Sequence, residues 1–303
     1  EHLIENAHAG VRHADLIRVR EAERHAEIDF TFIFLNFAVL PAGVPGGLLY
    51  ERENSFKFLV HTSKGDFNST YVVLATGGKA GKESGGSESG YSLAESFHHT
   101  VTKLYPGLTG LVCDGVVWNK TAGTRVQGTI SLMIDGKTEA FETGEIQIVK
   151  NGVSGIPVFQ MCRIAAKALD ENRLVEGVID FVPSLSKEEV KNWIKKHGVE
   201  GLMPQKWVPL CKRAKNPVEF VKFFRFVICD TFGMERAQVT AGGVPVEEVV
   251  QDSMESKKEK QLYLLGELLD VDGICGGYNL HFAWSTAMIA AKHILQLRKE
   301  NEK

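Results

Sequence analysis

The sequence has little net charge and no long apolar run. Its 303 residues carry a formal charge of −3, whereas a nucleic-acid-binding surface needs an excess of Lys and Arg to neutralise phosphates. A membrane-spanning helix needs roughly 20 consecutive apolar residues, and no stretch of the chain approaches that length. The N-terminus is polar, where a signal peptide would be basic and then apolar. We therefore expect a cytoplasmic protein with neither a nucleic acid nor a membrane as a partner.

Cysteines are few and widely spaced. The five of them form neither a C-x-x-C pair nor a Cys/His set with zinc spacing; they are Cys113, Cys162, Cys211, Cys229 and Cys275. A scattered set of this kind is typical of a reducing compartment, and the sequence predicts no metal site. Cys275 lies in a glycine-rich loop, where it is either a small packed thiol or a redox-active one.

Three well-known motifs are incomplete. Residues 77–82 resemble a phosphate-binding loop, but Thr76 replaces its first glycine and Glu83 replaces the hydroxyl that would bind Mg²⁺. Residues 152–156 lack the second glycine of a G-x-S-x-G nucleophile elbow. Residues 270–273 begin like a calcium loop, but no acidic ligand follows at the required distance. The sequence therefore favours neither nucleotide hydrolysis, nor a serine nucleophile, nor calcium binding.

Glycine and alternating patterns of apolar residues are what the sequence does contain. Glycine contributes 30 residues, above the usual proportion of about 7%, which indicates backbone that approaches a ligand or another segment closely. The length fits one large α/β domain or two domains. The patterns predict a helix over 1–26, a β-meander from 28–39 and 55–74, a hairpin or barrel over 108–150, helices over 157–169, 187–197 and 217–227, a strand over 262–265 and a helix over 279–299.

The tail of the chain carries the most informative pattern. A buried strand enters a loop rich in glycine and carboxylates, and a helix begins where that loop ends; the residues concerned are Gly266, Glu267, Asp270, Asp272, Gly276, Gly277, Tyr278, Asn279 and Leu280. Glycines let a ligand approach the backbone, and the N–H groups of a helix start attract negative charge. The carboxylates are suited to accept hydrogen bonds from ribityl hydroxyls. The same pattern fits a plain strand–turn–helix connection, so the residues alone leave both interpretations open.

Two further glycine bends point in the same direction. Ala75, Thr76, Gly77 and Gly78 follow a strand that is apolar on both faces, as in a parallel sheet with a cofactor crossing its carboxyl edge. A third bend, Thr240-Ala241-Gly242-Gly243, precedes the tail. Each bend alone fits an ordinary turn, whereas three in one chain favour a shared site.

Three histidines are candidates for acid–base chemistry near neutral pH. His281 falls in the first turn of the last predicted helix, next to the glycine-rich loop, and is the candidate catalytic residue. The adjacent His98 and His99 fit a surface or helix-end position equally well.

The ordered segments of the chain resemble those of the BaiN/RdsA-type NAD(P)/FAD-dependent oxidoreductases, also described as aminoacetone-oxidase-like flavoproteins. The segments that carry the resemblance are residues 73–78, 121–126, 152–157, 238–244, 254–257 and 266–280. The resemblance implies FAD as the cofactor, NAD(P)H as a reductant, and hydride transfer between NAD(P)H or a small organic substrate and flavin N5. Two departures are His281, where the family usually has Gln, and His98, where a Gly-His pair is common.

The resemblance also implies an architecture. It is an α/β fold of the two-dinucleotide-binding-domain flavoprotein type, with a Rossmann-like FAD-binding domain and an inserted β-rich and helical domain. We expect residues 1–106 and 236–303 to form the FAD-binding domain and residues 107–235 to form the insert. The resemblance further implies that the bends at 75–78 and 266–280 line the FAD, with Gly242 and Gly243 close to the isoalloxazine.

One family feature is missing. Family members open with a strand and a G-x-G-x-x-G turn that holds the FAD pyrophosphate at a helix start, whereas residues 1–40 contain only Gly10. We expect an N-terminally incomplete or diverged member whose FAD affinity is weak without that segment. The alternative is a non-catalytic, flavoprotein-like remnant or binding protein that has lost its dinucleotide anchor.

Overall fold

The fold is described by a computed structural model for residues 32–34, 37–40, 48–49, 57–62 and 65–301, and the helix predicted over 1–26 lies outside these residues. The strands are β1 (Phe32–Phe34), β2 (Phe37–Leu40), β3 (Leu48–Leu49), β4 (Phe58–Thr62), β5 (Gly65–Ser69), β6 (Tyr71–Leu74), β7 (Tyr105–Gly107), β8 (Leu111–Cys113), β9 (Thr124–Ile134), β10 (Lys137–Val149), β11 (Gly152–Ser154), β12 (Val175–Asp180), β13 (Phe224–Thr231), β14 (Val239–Ala241) and β15 (Leu262–Leu264). The helices are α1 (Ser89–Ser96), α2 (Val117–Thr121), α3 (Ile156–Asp170), α4 (Lys187–His197), α5 (Val208–Arg213), α6 (Pro217–Lys222) and α7 (Tyr278–Asn301).

A mostly parallel sheet contains β6 between two parallel neighbours. Its order is β1–β2–β6–β15, with β2 and β15 parallel to β6 and β1 antiparallel to β2. All four residues of β6 are buried, as its apolar sequence predicts for a strand covered on both faces. β3, which lies outside the predicted ranges, pairs antiparallel with β4. The predicted meander is confirmed for β4 and β5, which pair antiparallel. It is wrong for residues 71–74, because these pair with β2 and β15 instead.

A closed barrel of six strands forms a second unit. Its order is β10–β11–β8–β13–β12–β9, and β9 and β10 meet at a turn where Asp135 and Gly136 both have positive φ. The side chains of β9 alternate between buried and partly exposed, which is the period of a strand with one face in a core. Trp118 and Trp207 pack edge to face beside the barrel, with ring centroids 6.2 Å apart. The predicted hairpin or barrel over 108–150 is confirmed, and β12 and β13 complete it.

Two of the three helices predicted for the barrel unit are confirmed, whereas α2 and α5 were not predicted. α3 and α4 lie where they were predicted, and α4 begins with a capping box between Ser186 and Glu189. The predicted helix over 217–227 is wrong beyond Lys222, where α6 ends. Residues from Phe224 onwards pair with β12 and β8 instead, because ladder pairing in the barrel outweighs local helix propensity.

The last helix, α7, is more exposed than its sequence predicts. The sequence places Leu280, Ala283, Trp284, Ala287, Ala290, Ala291, Ile294 and Leu295 at helical spacing. Ala290 and Ile294 are buried against the parallel sheet, whereas Leu280 is 71% and Trp284 58% exposed. The apolar residues therefore occupy two faces of α7, of which one packs on the described part of the protein.

The described residues form two hydrophobic cores, one in the barrel unit and one between the parallel sheet, α1 and α7. The predicted α/β fold with a Rossmann-like domain is confirmed, while the domain boundaries at 106/107 and 235/236 stay a prediction. Among the helices that the structure describes, none combines the length and apolarity needed to cross a bilayer.

Candidate functional site

Two neighbouring parallel strands bring two of the predicted glycine bends together. β6 and β15 are in register, with Leu74 opposite Leu264, and the N–H of Leu265 donates to the carbonyl of Leu74 at 3.0 Å. Because both strands run in the same direction and end at the same level, residues 75–78 and 266–267 leave the sheet at one edge. In open α/β sheets this carboxyl edge is where ligands bind.

Glu267 connects the third bend to the other two. Its Oε1 accepts a hydrogen bond from the backbone N–H of Thr240 at 2.8 Å, and Thr240 Oγ1 accepts one from the N–H of Ala80 at 2.9 Å. Burial raises the pKa of Glu267, and the hydrogen bonds from Thr240 oppose that shift. Glu267 therefore joins bends that are distant in sequence, and its predicted contact with a ribityl chain stays a prediction.

Helix α1 packs beneath the first bend. A Cβ on Gly90 would lie 1.8 Å from Thr76 Oγ1, so only glycine permits this approach. The next residue, Tyr91, is buried, and its hydroxyl has no hydrogen-bond partner within the described ranges. Burial, followed by the nearby carboxylate of Glu267, raises the pKa of Tyr91 above that of an ordinary phenol. This neutral hydroxyl could not be predicted, because nothing in the sequence pattern around Tyr91 marks it.

The glycines of the three bends fall into two classes. A Cβ on Gly78, Gly242 or Gly243 would lie 2.1, 2.3 or 2.6 Å from other protein atoms, so these glycines allow the bends to pack against the protein itself. Gly77 and Gly277 have left-handed φ values of 68° and 91°, and no described atom lies within 4 Å of the Cβ that either would carry. Among the glycines of the three bends, Gly77 and Gly277 are therefore those whose backbone borders open space.

The carboxylates of the tail loop, which we define as residues 270–277, contact other parts of the protein. Asp270 Oδ2 lies 2.9 Å from the hydroxyl of Thr102. Asp272 Oδ1 accepts a hydrogen bond from Arg163 Nη1 of α3 at 2.7 Å. The predicted role of Asp270 and Asp272 as sugar ligands stays a prediction, and in this structure each carboxylate has a protein partner.

Side-chain amides fix the ends of the tail loop. Asn279 Oδ1 accepts from the N–H of Gly273 at 2.7 Å, and its Nδ2 donates to the carbonyl of the same residue at 3.1 Å. The N–H of Cys275 donates to Gln160 Oε1 of α3 at 3.1 Å. At the strand end, Gly266 has a left-handed φ of 59°. Asn279 thus closes the loop onto the start of α7.

The first turn of α7 is exposed. Tyr278, Leu280 and His281 lie at the surface, as does Gly276 before them. The backbone N–H of His281 donates to the carbonyl of Gly277 at 3.0 Å, and within the described part of the chain its side chain makes no hydrogen bond. His281 therefore contacts the tail loop through its backbone alone, its exposed side chain makes no hydrogen bond to a described residue, and its catalytic role stays a prediction.

A second polar cluster surrounds His99. Its Nδ1 lies 2.7 Å from Glu248 Oε2 and its Nε2 2.8 Å from Ser256 Oγ. Burial lowers the pKa of His99, against the opposing influence of Glu248. Ser256 is buried and also accepts the N–H of Lys258 at 3.0 Å. This Ser–His–Glu arrangement is a closed structural network, and His98 beside it contributes its carbonyl as an acceptor for Lys258.

A cleft of about 390 Å³ lies on the outer face of the barrel, lined by residues that include Ser131, Met133 and Lys222. It shares no residue with the glycine bends. Its buried ammonium is already paired, because Lys222 bonds to the Asp180 carboxylate at 2.6 Å and to two backbone carbonyls. Fold geometry therefore favours the sheet edge over this cleft as the site of chemistry.

Comparison with known proteins places these features in a family. Residues 48–293 match the model described as HI0933-like protein Rossmann domain. The chain is 35% identical over 263 residues to the 3-dehydro-bile acid delta(4,6)-reductase of Clostridium scindens, a match covering 78% of this chain and 64% of the relative. It is 26% identical over 271 residues to the ribosomal RNA dihydrouridine synthase of Haemophilus influenzae, covering 80% and 65%.

A protein of the latter name from Escherichia coli is 26% identical over 245 residues, covering 74% of this chain and 60% of the relative. The chain thus spans less than two thirds of the length of each of these relatives. The family assignment made from the sequence is confirmed by these matches. The family model covers most of the chain, including β6, β15 and all three glycine bends, and the chain therefore belongs to the HI0933-like family of Rossmann-domain proteins.

Proposed function

We propose that this chain acts as an FAD-dependent oxidoreductase that transfers hydride between NAD(P)H, or a small organic substrate, and the flavin. The observation that carries the proposal is the convergence of three glycine bends at the carboxyl edge of one parallel sheet. β6 and β15 end side by side, and the bond between Glu267 and Thr240 draws the third bend to them. This edge is where doubly wound folds bind dinucleotides.

The residues at this edge fit a flavin nucleotide. Gly77 and Gly277 border open space with left-handed backbone, so a planar ring or a phosphate can approach the main chain there. α7 has 24 residues, and its N-terminal end bears partial positive charge directed at whatever occupies the tail loop. Tyr91 offers a buried, neutral O–H donor beneath the first bend. These features suit a ligand with an aromatic ring and anionic groups.

The chain supplies position and electrostatics for such a reaction. A bound flavin would accept and donate the hydride. The N–H groups at the start of α7 would stabilise the negative charge that develops during reduction. The bidentate contact between Asn279 and Gly273 holds those N–H groups against the tail loop. The glycines at 77 and 277 remove the side chains that would keep the ligand away from the backbone.

The substrate we propose is a small molecule rather than RNA. One relative is named for a 3-dehydro-bile acid and two for ribosomal RNA, and the identity is 35% to the former against 26% to the latter. The net charge of −3 also disfavours a polyanionic substrate. All five cysteines are unpaired thiols, which agrees with a reducing, cytoplasmic setting.

Reconstitution tests this function. The chain is purified, incubated with FAD, desalted and examined for the visible absorption of bound flavin, and NADH or NADPH is then added without oxygen. We expect a yellow complex whose absorption is bleached by one of the two nucleotides. If a version extended to the length of the relatives stayed colourless after FAD loading, the proposal would be wrong, and the non-catalytic alternative would replace it.

A further inference from the structure

Helix α3 belongs to the barrel unit but contacts the tail loop. Gln160 Oε1 accepts the backbone N–H of Cys275 at 3.1 Å, and Arg163 Nη1 donates to Asp272 Oδ1 at 2.7 Å. Gln160 and Arg163 are three residues apart in α3, so both project from one face of the helix. A side chain of the barrel unit thus holds each end of the segment 272–275.

The two contacts differ from the ordinary ion pairs of the surface. The Asp272 side chain is only 10% exposed, whereas the Arg163 side chain is 55% exposed, so the carboxylate of this pair is shielded from water and the guanidinium lies at the surface. The bond from Gln160 reaches the main chain and fixes the backbone of Cys275 directly. Residues 276 and 277 follow with positive φ, and α7 begins immediately after them. The segment 272–275 is coupled to the start of α7 because Asn279 bonds to both backbone groups of Gly273.

The other end of α3 contacts the chain that leads to the third bend. Asp170 accepts hydrogen bonds from Lys103 Nζ at 2.6 Å and from the Tyr105 hydroxyl at 3.0 Å. A Cβ on Gly242 would lie 2.3 Å from the carbonyl oxygen of Lys103. α3 therefore spans from the tail loop to the segment that packs on Gly242, along one side of the candidate site.

We propose that Gln160 and Arg163 are positioning residues, and that α3 fixes the tail loop and the start of α7 relative to the barrel unit. The proposal rests on the proposed function for its consequence: a flavin held by the tail loop keeps its position relative to the barrel unit because α3 connects the two. Neither residue is required to touch the reacting atoms. Both act through the backbone of the tail loop.

The loop contact is tested first without any flavin. Hydrogen–deuterium exchange is measured on peptides covering residues 270–279 in the full chain, in Arg163→Asp, and in the charge-swapped pair Arg163→Asp with Asp272→Arg. We expect faster exchange in Arg163→Asp, because two carboxylates then face each other, and recovery in the swapped pair. The control is Arg173→Asp, which breaks a similar ion pair with Asp135 at 2.7 Å and should leave these peptides unchanged.

The consequence for the site is tested with FAD. We expect Arg163→Asp to raise the Kd for FAD about tenfold, equivalent to about 1.4 kcal/mol, and to change the visible circular dichroism of bound flavin, with both recovered in the swapped pair. Gln160→Leu, which keeps the apolar stem, should show a smaller change in the same direction. If Arg163→Asp aggregates, Arg163→Gln replaces it in both measurements.

The outcomes separate this proposal from the function. Wild-type protein that binds no FAD contradicts the proposed function, whereas exchange at 270–279 still reports on the contact with α3. Exchange that is unchanged in Arg163→Asp, or altered equally in the swapped pair, would overturn the positioning role. If wild type binds FAD and the spectrum of bound flavin is the same in Arg163→Asp as in wild type, the proposed effect of Arg163 on the cofactor would be overturned.

Discussion

Glu267 and Thr240 are joined by a hydrogen bond of 2.8 Å between a half-buried carboxylate and a backbone N–H 27 residues away. This bond lies between two glycine bends, and a Cβ on Gly78 would lie 2.1 Å from the same Glu267 oxygen. The carboxylate is thus enclosed by the bends that it connects. Both the protonation of Glu267 and its packing should therefore affect the stability of the sheet edge.

Glu267 should make the protein less stable as the pH rises. Burial raises the pKa of its carboxyl in the folded state, so the folded protein binds this proton more tightly than the unfolded chain, whose Glu titrates near about 4.3. The protonated Glu267 carboxyl therefore stabilises the fold at low pH, and this stabilisation is lost as the pH rises from about 4.3 to the raised pKa of the folded state. In Glu267→Gln we expect this part of the pH profile to flatten, because the amide oxygen still accepts from Thr240.

The measurement is urea unfolding of wild type and Glu267→Gln across about pH 4 to 8. Glu235→Gln, at an exposed position, is the matched control and should leave the profile unchanged. A constant difference between Glu267→Gln and wild type at every pH would contradict the assignment.

The neighbouring glycines Gly77 and Gly78 should respond differently to the same substitution. Gly78→Ala drives a methyl into Glu267 and Thr240 and should cost about 3 kcal/mol of unfolding free energy. Gly77→Ala meets open space and should cost only the left-handed backbone penalty of about 1–2 kcal/mol. Gly77→Ala should nevertheless weaken FAD binding at least about tenfold, because the methyl occupies ligand space. Equal FAD affinity in Gly77→Ala and wild type would remove Gly77 from the site.

The His99 network should make the fold sensitive to mild acid. Burial lowers the pKa of His99, so the unfolded chain binds more protons than the folded protein below the ordinary value of about 6.5, and stability falls as the pH falls through that region. Partial burial raises the pKa of Glu248, but hydrogen bonds from Lys258, Thr100 and His99 outweigh this effect and lower that pKa to about 2. Glu248 should add a second loss of stability at pH values below about 4.5.

His99→Phe tests this sensitivity. At pH 7 it should cost about 1–3 kcal/mol, because Glu248 and Ser256 each lose a hydrogen-bond partner. The difference from wild type should shrink at pH 5, where wild type alone must accommodate a proton on a buried imidazole. The measurement is the unfolding midpoint of wild type and of His99→Phe at pH 7 and pH 5. A difference between the two proteins that is larger at pH 5 would contradict the prediction.

Lys222 should be a major contributor to the stability of the barrel unit. Its buried ammonium pairs with Asp180 at 2.6 Å and donates to the carbonyls of Val182 and Leu185. Lys222→Met should cost about 3 kcal/mol, because a largely buried carboxylate loses its partner, and adding Asp180→Asn should recover part of that loss. Lys187→Met breaks an exposed pair with Glu219 and should cost at most about 1 kcal/mol. Similar thermal unfolding of the two single variants would contradict this assignment.

Local patterns predicted the elements that depend on local sequence. The apolar strand 71–75 and the strand beginning at Leu262 were identified because burial on both faces leaves a continuous apolar run. The boundary between α6 and β13 was missed, since residues from Phe224 are extended only because β12 and β8 pair with them. Ladder pairing of this kind depends on partners that no local window contains.

In the candidate site, too, features of local sequence were predicted and contacts between distant residues were not. The glycine bends were visible because glycine with positive φ marks a bend in any context. The partner of Asp272 was not, because Arg163 lies 109 residues away in sequence. Nor did any pattern indicate that Tyr91 would be buried beside Glu267. The composition of a site is thus more readable from sequence than the pairing of its side chains.

The exposed face of α7 also makes the tryptophan fluorescence of the helix differ from that of the barrel unit. Trp284 is 58% exposed near the tail loop, whereas Trp118 and Trp207 are fully buried in the barrel unit. Because indole emission moves to longer wavelength in water, the red edge of the fluorescence should come from the helix and the blue edge from the barrel, once Trp193 has been replaced by Phe. A single emission spectrum can therefore follow the two halves of this protein separately while one of them is perturbed.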